Sequence, residues 1–177
     1  MRYLIVCGGK IDKEFGLNEI KTDGIDVIIA ADSGMDFLYE NGVTPDIIVG
    51  DFDSATTKAL EFFERKGQTE IHRLNPVKDD TDTEYAIRLA IKHGARSIVV
   101  IGATGSRIDH VLGNISLLGI GLESGIDIRI IDANNRIRMA DKPVTIEKSS
   151  QYGRFVSLIA VTDDNEVSPK GFKYPVT

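Results

Sequence analysis

The sequence lacks the features that would direct it to a membrane, a nucleic acid or an oxidising compartment. A single cysteine, Cys7, rules out a disulfide within the chain. No apolar stretch approaches the roughly 20 residues of a membrane span, and the N-terminal one is too short for a signal peptide. The chain has no run of Lys or Arg and a net charge of −6, which argues against nonspecific nucleic-acid or membrane-surface binding. We therefore expect a soluble, cytoplasmic protein with no nucleic-acid partner and no membrane partner.

The sequence also gives little support for a cysteine nucleophile or for a histidine metal site. Cys7 lies in the apolar run "YLIVC", which favours a buried thiol in a strand over a nucleophile. His72, His93 and His110 do not have the spacing of metal ligands, so we interpret all three as structural or surface residues.

The apolar residues that are present alternate with helical patterns. Strands are predicted at "RYLIVCGG", "IDVIIAADSG", "PDIIVGDFDS", "EIHRLN", "RSIVVIGATG" and "IDIRIID". Helices are predicted at "SATTKALEFFERKG", "TDTEYAIRLAIKHG" and "RIDHVLGNISLLGIGLESG". Because the strands are continuously apolar and are separated by helices, we expect an α/β domain over residues 1–132. Its open, mostly parallel sheet should have helices on both faces.

The pattern changes after Asp132. Short alternating segments follow, "RIRMAD", "VTIEKS" and "GRFVSLIAVTD", and they are separated by Asn-Asn, Pro and Gly. These segments predict a smaller antiparallel β domain, sandwich-like, over residues 133–177. Because 45 residues are few for an independent core, this domain should dock on the first domain or on another subunit.

Charged residues follow four consecutive predicted strands, at the edge where parallel α/β sheets bind ligands. These residues are Asp32, Asp51, Asp53, Lys78, Asp79, Asp80, Asp82, Arg107 and Asp109. Acids that are crowded together raise one another's pKa unless a cation compensates their charge. The sequence therefore predicts a charged site at this edge.

Asp51 and Asp53 are two residues apart in "GDFDS", so on an extended chain they face the same side and can share one Mg²⁺. The alternative is a turn followed by a helix that Ser54 caps. Capping explains Ser54 but leaves Asp51 and Gly50 without a reason. We favour the metal site.

The segment "VKDDTDTEYA" allows the same two interpretations. Thr81 followed by Glu84 fits a capping box, and Asp82 suits the positive end of a helix. Gly94 then closes the helix. Capping does not explain Lys78, which lies where the helix dipole favours anions, nor the two acids upstream of the cap. Those acids are Asp79 and Asp80.

"GATGSRIDH" is a glycine-containing loop between a strand and a helix, and its backbone N–H groups are able to hold phosphate. It is neither a P-loop nor a dinucleotide fingerprint. Arg107 suits bidentate phosphate binding or a plain surface position. Asp109 suits a proton acceptor, a ligand contact or a first-turn acid.

Five segments in order carry a family resemblance: "ADSG", "GDFDS", "NPVKDDTDTEYA", "GATGSRIDHVLGN" and "KGFKYP". Together they resemble the thiamin pyrophosphokinases over nearly the whole chain. The resemblance implies transfer of a pyrophosphoryl group from ATP to the hydroxyl of thiamin, giving thiamin diphosphate and AMP. It also implies a nucleotide- and Mg²⁺-binding α/β domain, a β-sandwich domain, and a homodimer with active sites between subunits.

The resemblance also implies roles for individual residues. The implied Mg²⁺ ligands are Asp51, Asp53 and Asp82. The candidate catalytic acids are these three with Asp79 and Asp109. The candidate ATP- and phosphate-binding residues are Asp32, Lys78, Thr81, Gly105 and Arg107. The candidate thiamin contacts are Asp109 and, from the partner subunit, Tyr174; without the resemblance Tyr174 would be interpreted as a strand aromatic that packs inward.

One departure and two alternatives accompany this hypothesis. Members of the family continue with further strands beyond the "KGFKYP" segment, so we expect a β domain that is incomplete at its C-terminal end. "IIVGDFDSA" also resembles haloacid-dehalogenase-type phosphatases, in which Asp51 would be a covalent nucleophile assisted by Mg²⁺. The second alternative is a noncatalytic regulator that binds a nucleotide or thiamin.

Overall fold

The computed structural model describes residues 1–52, 56–75, 80–105, 107–163 and 165–173. Within them, seven strands form one sheet: β1 Arg2–Val6, β2 Val27–Ala31, β3 Ile47–Gly50, β4 Glu70–Arg73, β5 Ser97–Ile101, β6 Asp127–Ile131 and β7 Arg136–Ile137. Their order is β4-β3-β2-β1-β5-β6-β7. Neighbouring strands from β4 to β6 are parallel, and β7 is antiparallel to β6. The mostly parallel sheet is therefore confirmed.

Helices cover both faces of the sheet, as the sequence predicts. They are α1 Lys13–Ile20, α2 Gly34–Glu40, α3 Thr57–Lys66, α4 Asp82–Lys92, α5 Ile108–Ser116 and α6 Leu118–Ser124. Because side chains alternate along a strand, Tyr3 and Ile5 pack in one core with α4 and α6. Leu4 and Val6 pack in a second core with α2 and α3. In the ranges given above, no helix has both the length and the apolar character needed to cross a bilayer.

Two helix starts test the capping interpretations. The Thr81 hydroxyl oxygen accepts a hydrogen bond from the Glu84 N–H at 3.2 Å, so Thr81 caps α4 as predicted. Helix α3 begins at Thr57 with Thr56 as its N-cap residue, and Ser54, the cap in the alternative that we did not favour, lies outside the described residues. Thr56 donates two hydrogen bonds to the carboxylate of Asp36, one from its N–H and one from its hydroxyl. These bonds tie the chain that precedes α3 to the first turn of α2.

Where the structure describes it, the C-terminal part adds an antiparallel pair rather than a second sheet. β6 and β7 form that pair, and the described residues after β7 contain a 3-10 helix, Lys148–Ser150, but no strand. The strands expected at "VTIEKS" and "GRFVSLIAVTD" are therefore not formed. A strand needs a neighbouring strand to pair its N–H and C=O groups, and the apolar side chains on it need a surface to pack against. Here the side chains of Phe155 and Ile159 are each 84% exposed. The division into residues 1–132 and 133–177 stays a prediction.

Candidate functional site

Three carboxylates from different strand ends meet at the carboxyl edge of the sheet. Asp32 follows β2, Asp51 follows β3, and Asp82 begins α4, the helix after β4. One oxygen of each lies within 4.8 Å of the others, and all three residues are half-buried. Parallel strands end at one edge, and this brings together acids that are 50 residues apart in the chain (positions 32 and 82). We call these three residues the acidic cluster.

The backbone next to the acidic cluster takes an unusual conformation. Asp32 has a φ of 49° and Phe52 a φ of 64°, in the left-handed region that costs residues other than glycine about 1–3 kcal/mol. The Asp32 N–H donates to the Val49 carbonyl at 2.7 Å. A Cβ added at Gly50 would lie 3.1 Å from the Asp32 Cα and 3.2 Å from the Phe52 ring. Gly50 therefore permits the close approach of β2 and β3. This gives a reason for glycine at position 50, which helix capping did not provide.

The donor set of the acidic cluster fits a hard divalent cation. Carboxylate oxygens are the ligands that Mg²⁺ prefers, and it commonly takes one or two of them with water and substrate phosphates. Three ionised carboxylates at this separation repel one another, and a bound cation offsets that repulsion. Asp32, Asp51 and Asp82 are therefore the described residues that could hold a metal.

The structure brings some of the predicted site residues together. Of the three predicted metal ligands, Asp51 and Asp82 lie in the acidic cluster, and Asp32, predicted to bind ATP or phosphate, joins them. The residue between Asp51 and Asp53 is not extended as we expected, because Phe52 has a left-handed φ of 64°. Asp80 is exposed, one residue before the α4 cap. Four predicted site residues lie outside the described residues: Asp53, Lys78, Asp79 and Tyr174.

Arg107 and Asp109 lie after β5, on the far side of β1 from β2, and they form an exposed ion pair with 2.6 Å between Nη2 and Oδ2. The hydrogen bond from Arg107 lowers the pKa of Asp109. The same hydrogen bond raises the pKa of Arg107. Both side chains are therefore charged at neutral pH, and Asp109 is a weaker base than an isolated aspartate.

Two glycine loops meet between β1 and β5, where the strand order reverses. The Gly9 N–H donates to the Gly102 carbonyl at 2.9 Å, and a Cβ on either residue would overlap backbone oxygen of the other loop. Gly102 has a φ of 70°. Gly105 is exposed further along the second loop. No site residue is predicted from the sequence after the first strand, although "CGGK" follows it and parallel α/β sheets bind ligands at that strand end as well.

Asp132 fixes the loop that carries Arg107. Its carboxylate accepts hydrogen bonds from the Thr104 hydroxyl at 2.8 Å and from the N–H groups of Asn134 and Asn135, each at 2.8 Å. Burial alone raises the pKa of Asp132, but these hydrogen bonds outweigh it, and the net pKa is lowered. The hydroxyl of Tyr152 donates to the Asp132 carbonyl oxygen. One residue thus links the loop, the end of β6 and the C-terminal segment.

Cys7 is a buried thiol, as the sequence predicts. Its Sγ lies 3.4 Å from the Thr83 hydroxyl, and burial raises its pKa to about 11. The thiol is therefore protonated at neutral pH, which does not suit a nucleophile. His72 is also in a structural setting, between Glu70 at 2.6 Å and the Tyr85 hydroxyl at 3.2 Å.

Comparison with known proteins gives consistent results. The family model described as thiamin pyrophosphokinase, catalytic domain, matches residues 21–130. The thiamine pyrophosphokinase of Bacillus subtilis is 35% identical over 156 residues, which cover 88% of this chain and 72% of that protein.

Solved structures agree with the sequence comparison. A crystal structure of thiamine pyrophosphokinase from Bacillus subtilis aligns with a TM-score of 0.67 at 33% identity, covering 78% of this chain and 63% of that one. A crystal structure of a probable thiamine pyrophosphokinase from Staphylococcus saprophyticus aligns with a TM-score of 0.61 at 35% identity, covering 78% and 68%. The chain thus spans less than two thirds of the first of these two structures.

Proposed function

Because the chain belongs to the thiamin pyrophosphokinase family of diphosphotransferase enzymes, we propose that it transfers a pyrophosphoryl group from ATP to the hydroxyl of thiamin. The products are thiamin diphosphate and AMP. The bond that breaks joins the β-phosphorus of ATP to the oxygen that bridges it to the α-phosphorus, and that oxygen leaves with AMP. The bond that forms joins the thiamin oxygen to the β-phosphorus. Such a transfer depends mostly on positioning and charge stabilisation.

The acidic cluster is the observation that carries this proposal. In our assignment Asp51 and Asp82 hold Mg²⁺ together with Asp53, and the 4.8 Å grouping supports adding Asp32. When bound, Mg²⁺ neutralises phosphate charge at the reacting group. The half-buried carboxylates supply fixed negative charge that selects the cation and holds it in position at the strand ends.

The remaining predicted residues are assigned to the two substrates. Arg107 neutralises phosphate charge together with Lys78, with the loop glycine Gly105 and with Thr81 at the positive end of α4. Asp109 contacts thiamin in this assignment, because a carboxylate attracts the cationic substrate. Tyr174 of the partner subunit stacks against thiamin in this assignment. One of the candidate catalytic acids accepts the hydroxyl proton.

We propose a homodimer with active sites between its subunits. Helix α5 has no buried residue, and Ile108 and Leu112, one turn apart on it, are 73% and 59% exposed. An exposed apolar pair next to a charged site suits a subunit interface.

A cytoplasmic location belongs to the same proposal, because ATP is a cytoplasmic substrate and the chain needs no disulfide.

The two alternatives from the sequence are not favoured. The family model and the relatives are thiamin pyrophosphokinases, and none of those reported above is a haloacid-dehalogenase-type phosphatase or a noncatalytic regulator.

The test is formation of AMP and thiamin diphosphate from ATP, Mg²⁺ and thiamin. We expect the Asp51→Asn and Asp82→Asn variants to lose about 100-fold or more in kcat, because each removes charge that positions the cation. The control is Asp23→Asn, the same change at an exposed acid in the turn after α1. Full activity in Asp51→Asn and Asp82→Asn would exclude the acidic cluster from the reaction, and thiamin-independent AMP release would argue against thiamin as acceptor.

A further inference from the structure

Phe52 follows Asp51 and has a backbone conformation that phenylalanine rarely adopts. Its φ of 64° lies in the left-handed region, where glycine and asparagine are the usual residues. The turn at Phe52 comes directly after one of the three acids of the acidic cluster. A residue with a poor preference for this turn therefore occupies the position that directs Asp51.

The ring of Phe52 makes two contacts that a glycine would lack. It packs at Gly50, where an added Cβ would lie 3.2 Å from both Cδ1 and Cε1 of the ring. The guanidinium of Arg73 lies 5.3 Å from the ring centroid, within the range of a cation–π interaction. These contacts offset the cost of the left-handed turn.

Arg73 is itself held in place. It is the last residue of β4, in register with Gly50 of β3, and its guanidinium forms an ion pair with Glu64 of α3. The Phe52 ring is therefore in contact with a network that joins two neighbouring strands and the helix between them. We call Phe52, Arg73 and Glu64 the ring clamp.

We propose that Phe52 is a positioning residue: the ring clamp holds the left-handed turn that presents Asp51 beside Asp32 and Asp82. This inference rests on the proposed function, because it takes the acidic cluster as the Mg²⁺ site. A residue that acts by orienting a ligand changes metal affinity more than it changes the fold. Contacts that orient metal ligands typically contribute 10- to 100-fold in metal affinity or activity.

The experiment is a titration of the full chain with Mn²⁺, a paramagnetic substitute for Mg²⁺, followed by electron paramagnetic resonance. It is done with and without α,β-methylene-ATP, whose bridge resists transfer. Phe52→Leu removes the ring, Phe52→Tyr keeps it, and Arg73→Gln removes the cation at an exposed position. The matched control is Phe62→Leu, because Phe62 is an exposed ring of α3 with its own cation, Lys66 Nζ, 5.8 Å from the centroid.

We expect Phe52→Leu and Arg73→Gln to weaken Mn²⁺ binding about 10-fold, with Phe52→Tyr and Phe62→Leu within about twofold of wild type. Circular dichroism and the unfolding midpoint should show that Arg73→Gln remains folded. A fifth variant, Phe52→Gly, allows the left-handed turn without the ring, and we expect it to bind Mn²⁺ as weakly as Phe52→Leu.

Two outcomes would overturn the inference, and they are distinguishable. If Phe52→Gly or Arg73→Gln binds Mn²⁺ as tightly as wild type, the ring clamp does not position Asp51, although the proposed metal site stands. If the folded wild-type chain binds no Mn²⁺ in either condition, the proposed metal site fails, and the positioning role fails with it.

Discussion

Asp132 shows how much a single residue contributes to the order of the site. Its carboxylate accepts hydrogen bonds from the Thr104 hydroxyl and from two backbone N–H groups. We expect Asp132→Asn to lower the free energy of unfolding by about 1–3 kcal/mol at neutral pH, because the amide leaves at least one donor without an acceptor. Urea denaturation measures this. The control Asp141→Asn, at an exposed position, should change it by less than about 0.5 kcal/mol.

The same carboxylate gives a pH dependence with a definite sign. Because the folded-state pKa of Asp132 lies below its ordinary value of 3.8, its contribution to stability is fully present above that value. The contribution is lost as the pH falls through the folded-state pKa. The difference in unfolding free energy between wild type and Asp132→Asn should therefore be smaller at about pH 3 than at about pH 7. An equal difference at both pH values would contradict this assignment.

At the level of single residues, the sequence predicted which residues form the candidate site but not how they are arranged in space. Asp32, Asp51 and Asp82 follow strands, and the sequence identifies them as candidates for that reason. Their meeting within 4.8 Å depends on two left-handed residues, Asp32 and Phe52. Aspartate is among the residue types enriched in that conformation, but phenylalanine is not, so the chain at Phe52 was predicted as extended.

At the level of elements, the start of α2 depends on a glycine. A Cβ added at Gly34 would overlap the carbonyl oxygen of Val6 in the central strand β1, which cannot move without breaking its pairing. We expect Gly34→Ala to destabilise the protein by about 2 kcal/mol or more, measured by urea denaturation. The control is Gly113→Ala on α5, where an added Cβ would meet no atom from elsewhere in the described structure within 4 Å. There alanine should be neutral or stabilising by up to about 1 kcal/mol. Similar effects in both variants would contradict the packing argument.

The ends of a helix were predicted correctly where they depend on residues within one turn of the chain. α4 begins after Thr81 and is followed by Gly94 with a φ of 83°, since a capping hydroxyl and a closing glycine act within one turn. Ser54 is as good a cap as Thr56 by residue type, but Thr56 donates two hydrogen bonds to Asp36, which lies on another helix, α2. The strands expected after β7 depend on partners far away in sequence, and alternation alone does not supply them.

At the level of the whole molecule, the homodimer proposal makes a direct prediction. Ile108 and Leu112 are exposed on α5, and a charge introduced into an apolar interface leaves an unpaired buried ion. We expect wild type to sediment as a dimer and Ile108→Glu to raise the dimer dissociation constant about 10-fold or more. Phe62→Glu, at an exposed ring of α3, is the matched control and should remain dimeric. A monomeric wild type in sedimentation velocity would exclude the homodimer.

The sequence by itself determined the fold class, the carboxyl edge as the place of the candidate site, the acids that follow the strands and the family. These properties depend on apolar periodicity, on residue type and on the order of short segments, all of which are local. Only the tertiary structure decided that Asp32 joins Asp51 and Asp82, that Phe52 turns the chain and that Arg73 contacts its ring. Those features depend on contacts between strands and helices distant in the chain, which become neighbours only when the sheet forms.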